Sequence, residues 1–309
     1  MRHKIARSVS GLPERMMALT SRLTLAAASG GAGLAVLTSL APAQDRLAGV
    51  SFAPHRAVYE ITLARSSAGS GVADMTGRMV YELVGSACDG WTQNMRFVTR
   101  MTNQEGEAQI NDLRTSSWEA AHAAQLRFNS SQYRNDQLAE ASQGDASRTG
   151  EGGRVTVDLT KPEKKKLTFA PDVMFPIQHS MELIASARAG KDHMTADLYD
   201  GSDKGDKVNT TSTAIGKKIQ AGSTKSPASL KNGEKLDALA SWPMAISYYD
   251  AGGDKKDSVP TYELGFRFYE NGVSTKLMID YGEFAIKGDL TELNFLEPGK
   301  CPDGPAEKR

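Results

Sequence analysis

The sequence has few cysteines and no excess of charge of either sign. Its 309 residues include two cysteines, and its 37 basic residues balance its 37 acidic ones. A chain without a basic excess lacks the electrostatic signature of nucleic-acid-binding proteins, so no nucleic-acid partner is expected. Beyond residue 43 no apolar run approaches the length of a membrane-spanning helix, so that region is not predicted to be an integral helical membrane protein.

The motifs that mark common enzymes are also missing. The chain has no G-x-S-x-G elbow, no H-E-x-x-H, no P-loop and no G-x-G-x-x-G fingerprint. None of the four histidines after residue 43 lies within four residues of another histidine or of a cysteine, the spacing that a local metal pair needs. These histidines are His55, His122, His179 and His193. We therefore predict no catalytic residues, no metal site and no cofactor.

Two polar groupings leave weaker alternatives open. His179 and Glu182 are spaced as neighbours on a helix and could share a metal ion or a proton, although an ordinary helix pair is favoured. Asp200, Asp203 and Asp206 recur every third residue. Because they lack the alternating ligands and the closing glutamate of a calcium loop, a turn is favoured over a weak calcium contact.

Residues 1–43 have the layout of a secretory signal peptide. Five basic residues and one acid precede an uncharged run over residues 23–43, which is rich in Ala, Gly and Ser and ends in Ala41-Pro42-Ala43. Small residues at these last positions are typical of a cleavage site. We expect cleavage there, which leaves residues 44–309 as one exported, β-rich domain. A membrane anchor is the alternative, because the run is long enough to span a bilayer.

The two cysteines, Cys88 and Cys301, could be free thiols, a nucleophile and a bystander, half of a metal site, or a disulfide. An exported protein can keep a disulfide because its compartment is oxidising. Neither cysteine belongs to a C-x-x-C redox motif or has histidines at zinc-binding spacing nearby. The favoured interpretation is a Cys88–Cys301 disulfide that ties an early turn to the end of the chain.

Alternating apolar and polar residues predict a mainly β protein of about twelve antiparallel strands, curled into a barrel-like or sandwich shape. One segment breaks the alternation and predicts a helix over about 176–189. Asn271-Gly272 between two alternating runs predicts a hairpin within a C-terminal meander over 261–296. Residues 44–53 are expected to form a short flexible lead, and residues 134–153 a polar loop.

Five large apolar residues are candidates for a cavity wall or an interface. They are Trp91, Trp118 and Trp242, which stand in or beside predicted strands, and Met181 and Ile184 on the predicted helix. Core filling is the favoured role of the tryptophans, and lining a cavity for an acyl chain is the alternative. The helical pair is expected to pack on the sheet.

Several blocks together resemble the cell-envelope-integrity protein B (EipB) family, which comprises exported proteins of alphaproteobacteria long catalogued as a domain of unknown function. The blocks are APHRAVYEITL, GRMVYELVGSACDGW, FPIQH, YDGSD and DYGEFAIKGDLTELNFL, followed by the last cysteine. The resemblance covers about His55 to Cys301. It implies a periplasmic β-spiral or barrel-like fold and a disulfide that matches Cys88 and Cys301. It also implies a role in maintaining the envelope under stress, without assigned catalytic residues.

Three functional hypotheses follow. The first is a non-enzymatic periplasmic protein that maintains envelope integrity by docking a periplasmic or envelope protein partner. The second is a lipid or lipoprotein carrier, in which the helix over 175–190 closes an apolar cavity of the curled sheet. The third is a hydrolase, which would need at least two of the four histidines to converge with acids or serines.

Overall fold

Fourteen antiparallel strands form one continuous sheet in the computed structural model, which describes residues 47, 49–150, 153–250, 259–299 and 301. The strands are β1 (His55–Ser66), β2 (Val72–Ser86), β3 (Gly90–Asn103), β4 (Ala108–Glu119), β5 (Gln125–Arg134), β6 (Gln137–Arg148), β7 (Val155–Lys161), β8 (Lys165–Phe169), β9 (His193–Leu198), β10 (Asn209–Ile215), β11 (Ser241–Asp250), β12 (Tyr262–Tyr269), β13 (Ser274–Asp280) and β14 (Phe284–Phe295). The α-helices are α1 (Pro176–Arg188) and α2 (Glu234–Asp237). The mainly β prediction is confirmed.

The strand order places the first and last strands side by side in the middle of the sheet. The order is β8-β7-β6-β5-β4-β3-β2-β1-β14-β13-β12-β11-β10-β9, so each strand pairs with its neighbours in sequence except where β1 meets β14. One wing runs from β2 to β8 and the other from β13 to β9. Helix α1 connects the two edge strands, β8 and β9.

The sheet curls until its two wings touch. A flat sheet of fourteen strands would separate its edges by about 60 Å. Instead, the Ser142 hydroxyl of β6 donates a hydrogen bond of 2.6 Å to the carbonyl of Gly201, just after β9. Gly201 has a φ of +77°, and a Cβ there would lie 2.2 Å from the Phe128 ring of β5. Only glycine therefore fits this barrel-like closure.

Two apolar clusters hold the curl together. The larger joins β1–β3, α1 and β10–β14, and it includes Leu183 and Ile184 of the helix. The smaller lies beneath β5–β8, where Tyr199 packs against Phe128 with ring centroids 5.7 Å apart. The Tyr199 hydroxyl donates to the carbonyl of Gly205 at 2.8 Å, so its polar end is also satisfied.

Helix α1 begins and ends as the sequence signals indicate. Pro176 occupies the first turn, where its missing N–H is tolerated, and Gly190 follows the end with a φ of +75°. The predicted helix over about 176–189 is confirmed to within one residue. Among the described residues, no helix is both long and apolar enough to cross a membrane.

The prediction of a loop over 134–153 is wrong, because β6 occupies most of this segment. Its inward positions are small residues, Ser142, Gly144 and Ala146, so the segment lacks the large apolar residues of a typical strand. These residues are small because the Phe128 ring of the neighbouring strand β5 occupies the space in front of them. A Cβ at Gly144 would lie 2.8 Å from this ring. The described residues accordingly contain fourteen strands rather than about twelve.

The expectation of a flexible lead over 44–53 is also wrong for its described part. Val50 and Phe52 are buried, and the Phe52 ring lies 6.2 Å from that of Trp91 and 6.1 Å from that of Phe268. The predicted signal peptide over 1–43 lies outside the described residues, as do residues 251–258.

Candidate functional site

The curled sheet surrounds a cavity of about 710 Å³, called the main cavity here. This volume lies within the usual range of small-molecule sites. The strand register explains its apolar wall. Ile286, Ile279, Leu264 and Ile246 are paired in turn across β14, β13, β12 and β11, and all four side chains line the cavity. Residues paired across an antiparallel sheet share a face.

The opposite wall comes from the other wing. Tyr59, Met79, Phe97 and Leu113 are paired in turn across β1 to β4 and also line the main cavity. Helix α1 adds Ile177, Ser180 and Leu183 as a third side. The cavity is therefore formed by both wings and the helix that connects them.

Two tyrosine hydroxyls of the wall have hydrogen-bond partners within the protein. The Tyr59 hydroxyl donates to the Ser274 carbonyl at 2.7 Å. The Tyr81 hydroxyl accepts a hydrogen bond of 2.9 Å from the Gln93 amide, and burial raises the pKa of Tyr81 to about 12. The rest of the wall is largely apolar.

Two of the four histidines line the main cavity, and both are neutral at pH 7. Burial lowers the pKa of His179 to about 4, and it lowers the pKa of His55 as well. His179 Nε2 is 3.2 Å from the Thr211 hydroxyl, and His55 Nδ1 is 2.7 Å from the Ala53 carbonyl oxygen. Within the described residues, neither ring makes a hydrogen bond to a carboxylate or a serine.

The other two histidines lie elsewhere. His122 is exposed beside a second cavity, and His193 is exposed at the start of β9. In the described ranges, no group of three or more His, Cys, Asp or Glu side chains could hold a metal ion. Of the aspartates in the YDGSD turn region, Asp206 pairs with Lys165 at 3.3 Å, and Asp200 lies on the wall of the main cavity.

A row of aromatic rings borders the main cavity at one end. Tyr248 and Tyr262 stack with centroids 4.4 Å apart, and Tyr281 stacks on Phe284 at 4.9 Å. Tyr262 and Tyr281 join the two pairs at 6.2 Å. Tyr281 is 40 % exposed, so this end of the aromatic row reaches solvent.

The second cavity, of about 840 Å³, lies beside the start of α1 and contains a buried carboxylate. Glu119, at the end of β4, is 3 % exposed. Its carboxylate accepts the backbone N–H groups of Ile177 at 2.7 Å and Gln178 at 2.9 Å. Burial raises the pKa of Glu119 to about 8, although these hydrogen bonds oppose the shift. Glu119 thus caps a helix 58 residues away in sequence, which no local pattern reveals.

The five predicted cavity or interface residues are placed as follows. Trp91 and Met181 line the second cavity, and Ile184 is fully buried in the larger apolar cluster. Trp242 is buried in the same cluster, whereas Trp118 is half-buried with the Arg127 guanidinium 5.1 Å from its ring centroid. The main cavity is lined by other residues.

Cys88 and Cys301 form a disulfide with Cα atoms 5.6 Å apart, as the sequence predicts. The segment after β14 runs along the turn between β2 and β3, where the Gly299 N–H donates to the Gly85 carbonyl at 3.1 Å. The bond therefore fixes Cys301, which follows β14, to the turn between β2 and β3, two strands that line the main cavity.

A curled antiparallel sheet around an apolar cavity defines a barrel-like β protein with an internal apolar space. The family model described as EipB-like matches residues 46–297, and the chain therefore belongs to the EipB-like family. The cell envelope integrity protein EipB of Brucella abortus (strain 2308) is 35% identical over 280 residues, which cover 91% of this chain and 97% of that protein.

A solved structure agrees with this assignment. The crystal structure of a beta-barrel-like protein of a domain of unknown function from Brucella abortus superimposes with a TM-score of 0.73 at 34% identity. The match covers 80% of this chain and 100% of that one. The family resemblance seen in the sequence blocks is confirmed.

Proposed function

We propose that this protein maintains cell-envelope integrity from the periplasm without catalysing a reaction. We further propose that its main cavity binds the apolar chain of an envelope lipid or lipoprotein. The first part is supported by the name and similarity of the Brucella relative. The second rests on one observation, the apolar cavity of about 710 Å³ inside the curled sheet.

The chemistry of the wall suits a hydrocarbon chain. Each methylene group moved from water into an apolar site contributes about 0.8 kcal/mol. The Tyr59 hydroxyl already donates to a carbonyl within the protein and the Tyr81 hydroxyl already accepts from the Gln93 amide, and a ligand without polar groups leaves both hydrogen bonds intact. A chain without polar groups therefore gains burial without leaving these groups unpaired.

A binding role fits the histidines better than a hydrolytic role does. A general base is usually oriented by a carboxylate. His55 and His179 instead contact the Ala53 carbonyl and the Thr211 hydroxyl, and burial lowers the pKa of both. A protein partner in the periplasm or envelope, which would deliver or receive the ligand, is part of this proposal.

A substitution on β12 that fills part of the main cavity tests this proposal. Leu264→Trp places an indole among Ile246 and Ile279, whose side chains line the same space. The control is Glu263→Trp on the adjacent, exposed position, which pairs with Ser247 on the outer face. We expect Leu264→Trp to weaken binding of the neutral fluorophore N-phenyl-1-naphthylamine by about tenfold or more, because the ring replaces several methylene groups of ligand.

The same variants test the biological role. In a strain that lacks the gene, Glu263→Trp should restore resistance to detergent and Leu264→Trp should not. Native mass spectrometry of gently purified wild-type protein should show bound lipid. Equal probe binding by both variants, or no binding of any apolar probe by the wild type, would contradict the cavity proposal.

A further inference from the structure

We propose that the main cavity selects amphiphiles with a positively charged headgroup, an amine or quaternary ammonium, over carboxylates of the same chain length. This inference rests on the proposed function, because it names the ligand class of the same cavity. It is carried by the charges of the wall and by the aromatic rings at one end of the cavity.

Among the described residues, the wall carries one carboxylate, that of Asp200, and no lysine or arginine. The two lining histidines, His55 and His179, are buried and neutral at pH 7. A fatty-acid carboxylate in this space would meet no cation, and an unpaired charge away from water is costly.

Asp200 lies where it can meet a headgroup. It follows β9, is half-buried, and its Oδ1 accepts the Ser202 N–H at 2.9 Å. Within the described residues, no group donates to its other carboxylate oxygen. Asp200 and Tyr248 both line the main cavity, and although burial is the main cause of the raised pKa of Tyr248, the charge of Asp200 raises it further.

The aromatic row provides a second attraction for a cation. The stacked pair of Tyr248 and Tyr262 lies within the electrostatic influence of Asp200, and the half-exposed Tyr281 continues the row towards solvent. Ammonium groups are attracted to aromatic ring faces, and quaternary ammonium headgroups are often bound by several rings. An amphiphile whose hydrocarbon chain fills the main cavity would place its headgroup beside the aromatic row.

Nearby basic residues have partners or point elsewhere. Lys207 pairs with Asp250 at 3.8 Å, and Arg65 binds Asp280 at 2.7 Å. Arg134 is opposite the wall residue Asn111 in register, but it is exposed at the end of β5 and does not line the cavity. None of these side chains neutralises Asp200 in the described residues.

The test compares three ligands with the same sixteen-carbon chain, each below its critical micelle concentration. Hexadecyltrimethylammonium, monopalmitoylglycerol and palmitate compete with N-phenyl-1-naphthylamine for the full-length mature protein. We expect the cationic ligand to displace the probe at about tenfold lower concentration than palmitate, with the neutral ligand between them, since one ion pair and one ring contact act together.

In Asp200→Asn, the cationic ligand should displace the probe at a concentration within about twofold of that of the neutral ligand. The neutral ligand should displace the probe as it does in the wild type, and this unchanged binding also shows that the variant is folded. The matched control is Asp192→Asn, an exposed acid just before β9 that does not line the cavity and whose charge does not act on Tyr248 or Tyr262, and it should keep the wild-type order. Equal or tighter binding of palmitate by the wild type, or an unchanged preference in Asp200→Asn, overturns the charge selectivity alone. Failure of all three ligands to compete overturns both this inference and the cavity proposal.

Discussion

The buried carboxylate of Glu119 gives the protein a stability that depends on pH and can be assigned to one residue. Its pKa is raised from 4.5 to about 8, with burial as the largest cause. The unfolded chain therefore releases this proton near pH 4.5, whereas the folded chain keeps it until about pH 8. Between these values the folded state binds one more proton, so raising the pH lowers the free energy of unfolding.

The magnitude follows from the size of the shift. One proton difference corresponds to at most about 1.4 kcal/mol per pH unit, or about 5 kcal/mol over the whole interval. Glu119→Gln removes the titrating group. It also replaces one acceptor of the α1 N–H groups by an amide N–H, which costs about 1–3 kcal/mol at every pH. The difference in the free energy of unfolding between the wild type and Glu119→Gln should therefore decrease steadily as the pH rises.

Guanidinium unfolding at intervals from pH 5 to pH 8, with the disulfide intact, measures this difference. His179 contributes in the opposite direction, because its lowered pKa makes stability rise with pH, but it is common to both proteins and cancels. The control is Glu105→Gln in the exposed turn between β3 and β4, whose curve should follow the wild type. Parallel curves for the wild type and Glu119→Gln would refute the reasoning and mean that the N–H donors keep the carboxylate ionised.

Two further predictions concern the closure of the fold. The double variant Cys88→Ala/Cys301→Ala should have a free energy of unfolding about 2–5 kcal/mol lower than the wild type, because the disulfide joins residues 213 positions apart. Thiol labelling of the unreduced wild type should find no free thiol, and a labelled cysteine would contradict the pairing. Gly201→Ala should lower the free energy of unfolding by about 1–3 kcal/mol more than Gly190→Ala does, since both glycines have a positive φ but only a Cβ at Gly201 would clash with the Phe128 ring. Equal melting temperatures of the two variants would show that the ring moves aside.

The local sequence pattern was sufficient for most elements. Period-two alternation predicts strands such as β1 and β12, because neighbouring side chains of a strand point to opposite faces. The break in this pattern, with Pro176 and Gly190, predicts α1. Strand β6 does not show this pattern, since the Phe128 side chain of β5 packs against it and leaves room only for small inward residues.

The candidate site was less accessible to such reasoning. Alternation shows that Met79 and Tyr81 share a face, but it does not show whether that face meets a packed layer or an open space. That depends on the curvature of the sheet and on residues such as Leu264, far away in sequence, that face them across the curl. Asp200 was recognised as part of a turn, and only the fold places it on the cavity wall.

By itself, the sequence determined the family, the antiparallel strands, the main helix and the pairing of the two cysteines, since each is encoded in local patterns or in residue identity. The tertiary structure alone decided that the sheet closes at Gly201, that Glu119 caps α1, and that the described part of the cavity wall carries one carboxylate and no lysine or arginine. The physical reason is that curvature and burial arise from contacts between residues far apart in the chain, whereas periodicity records only which neighbours share a face.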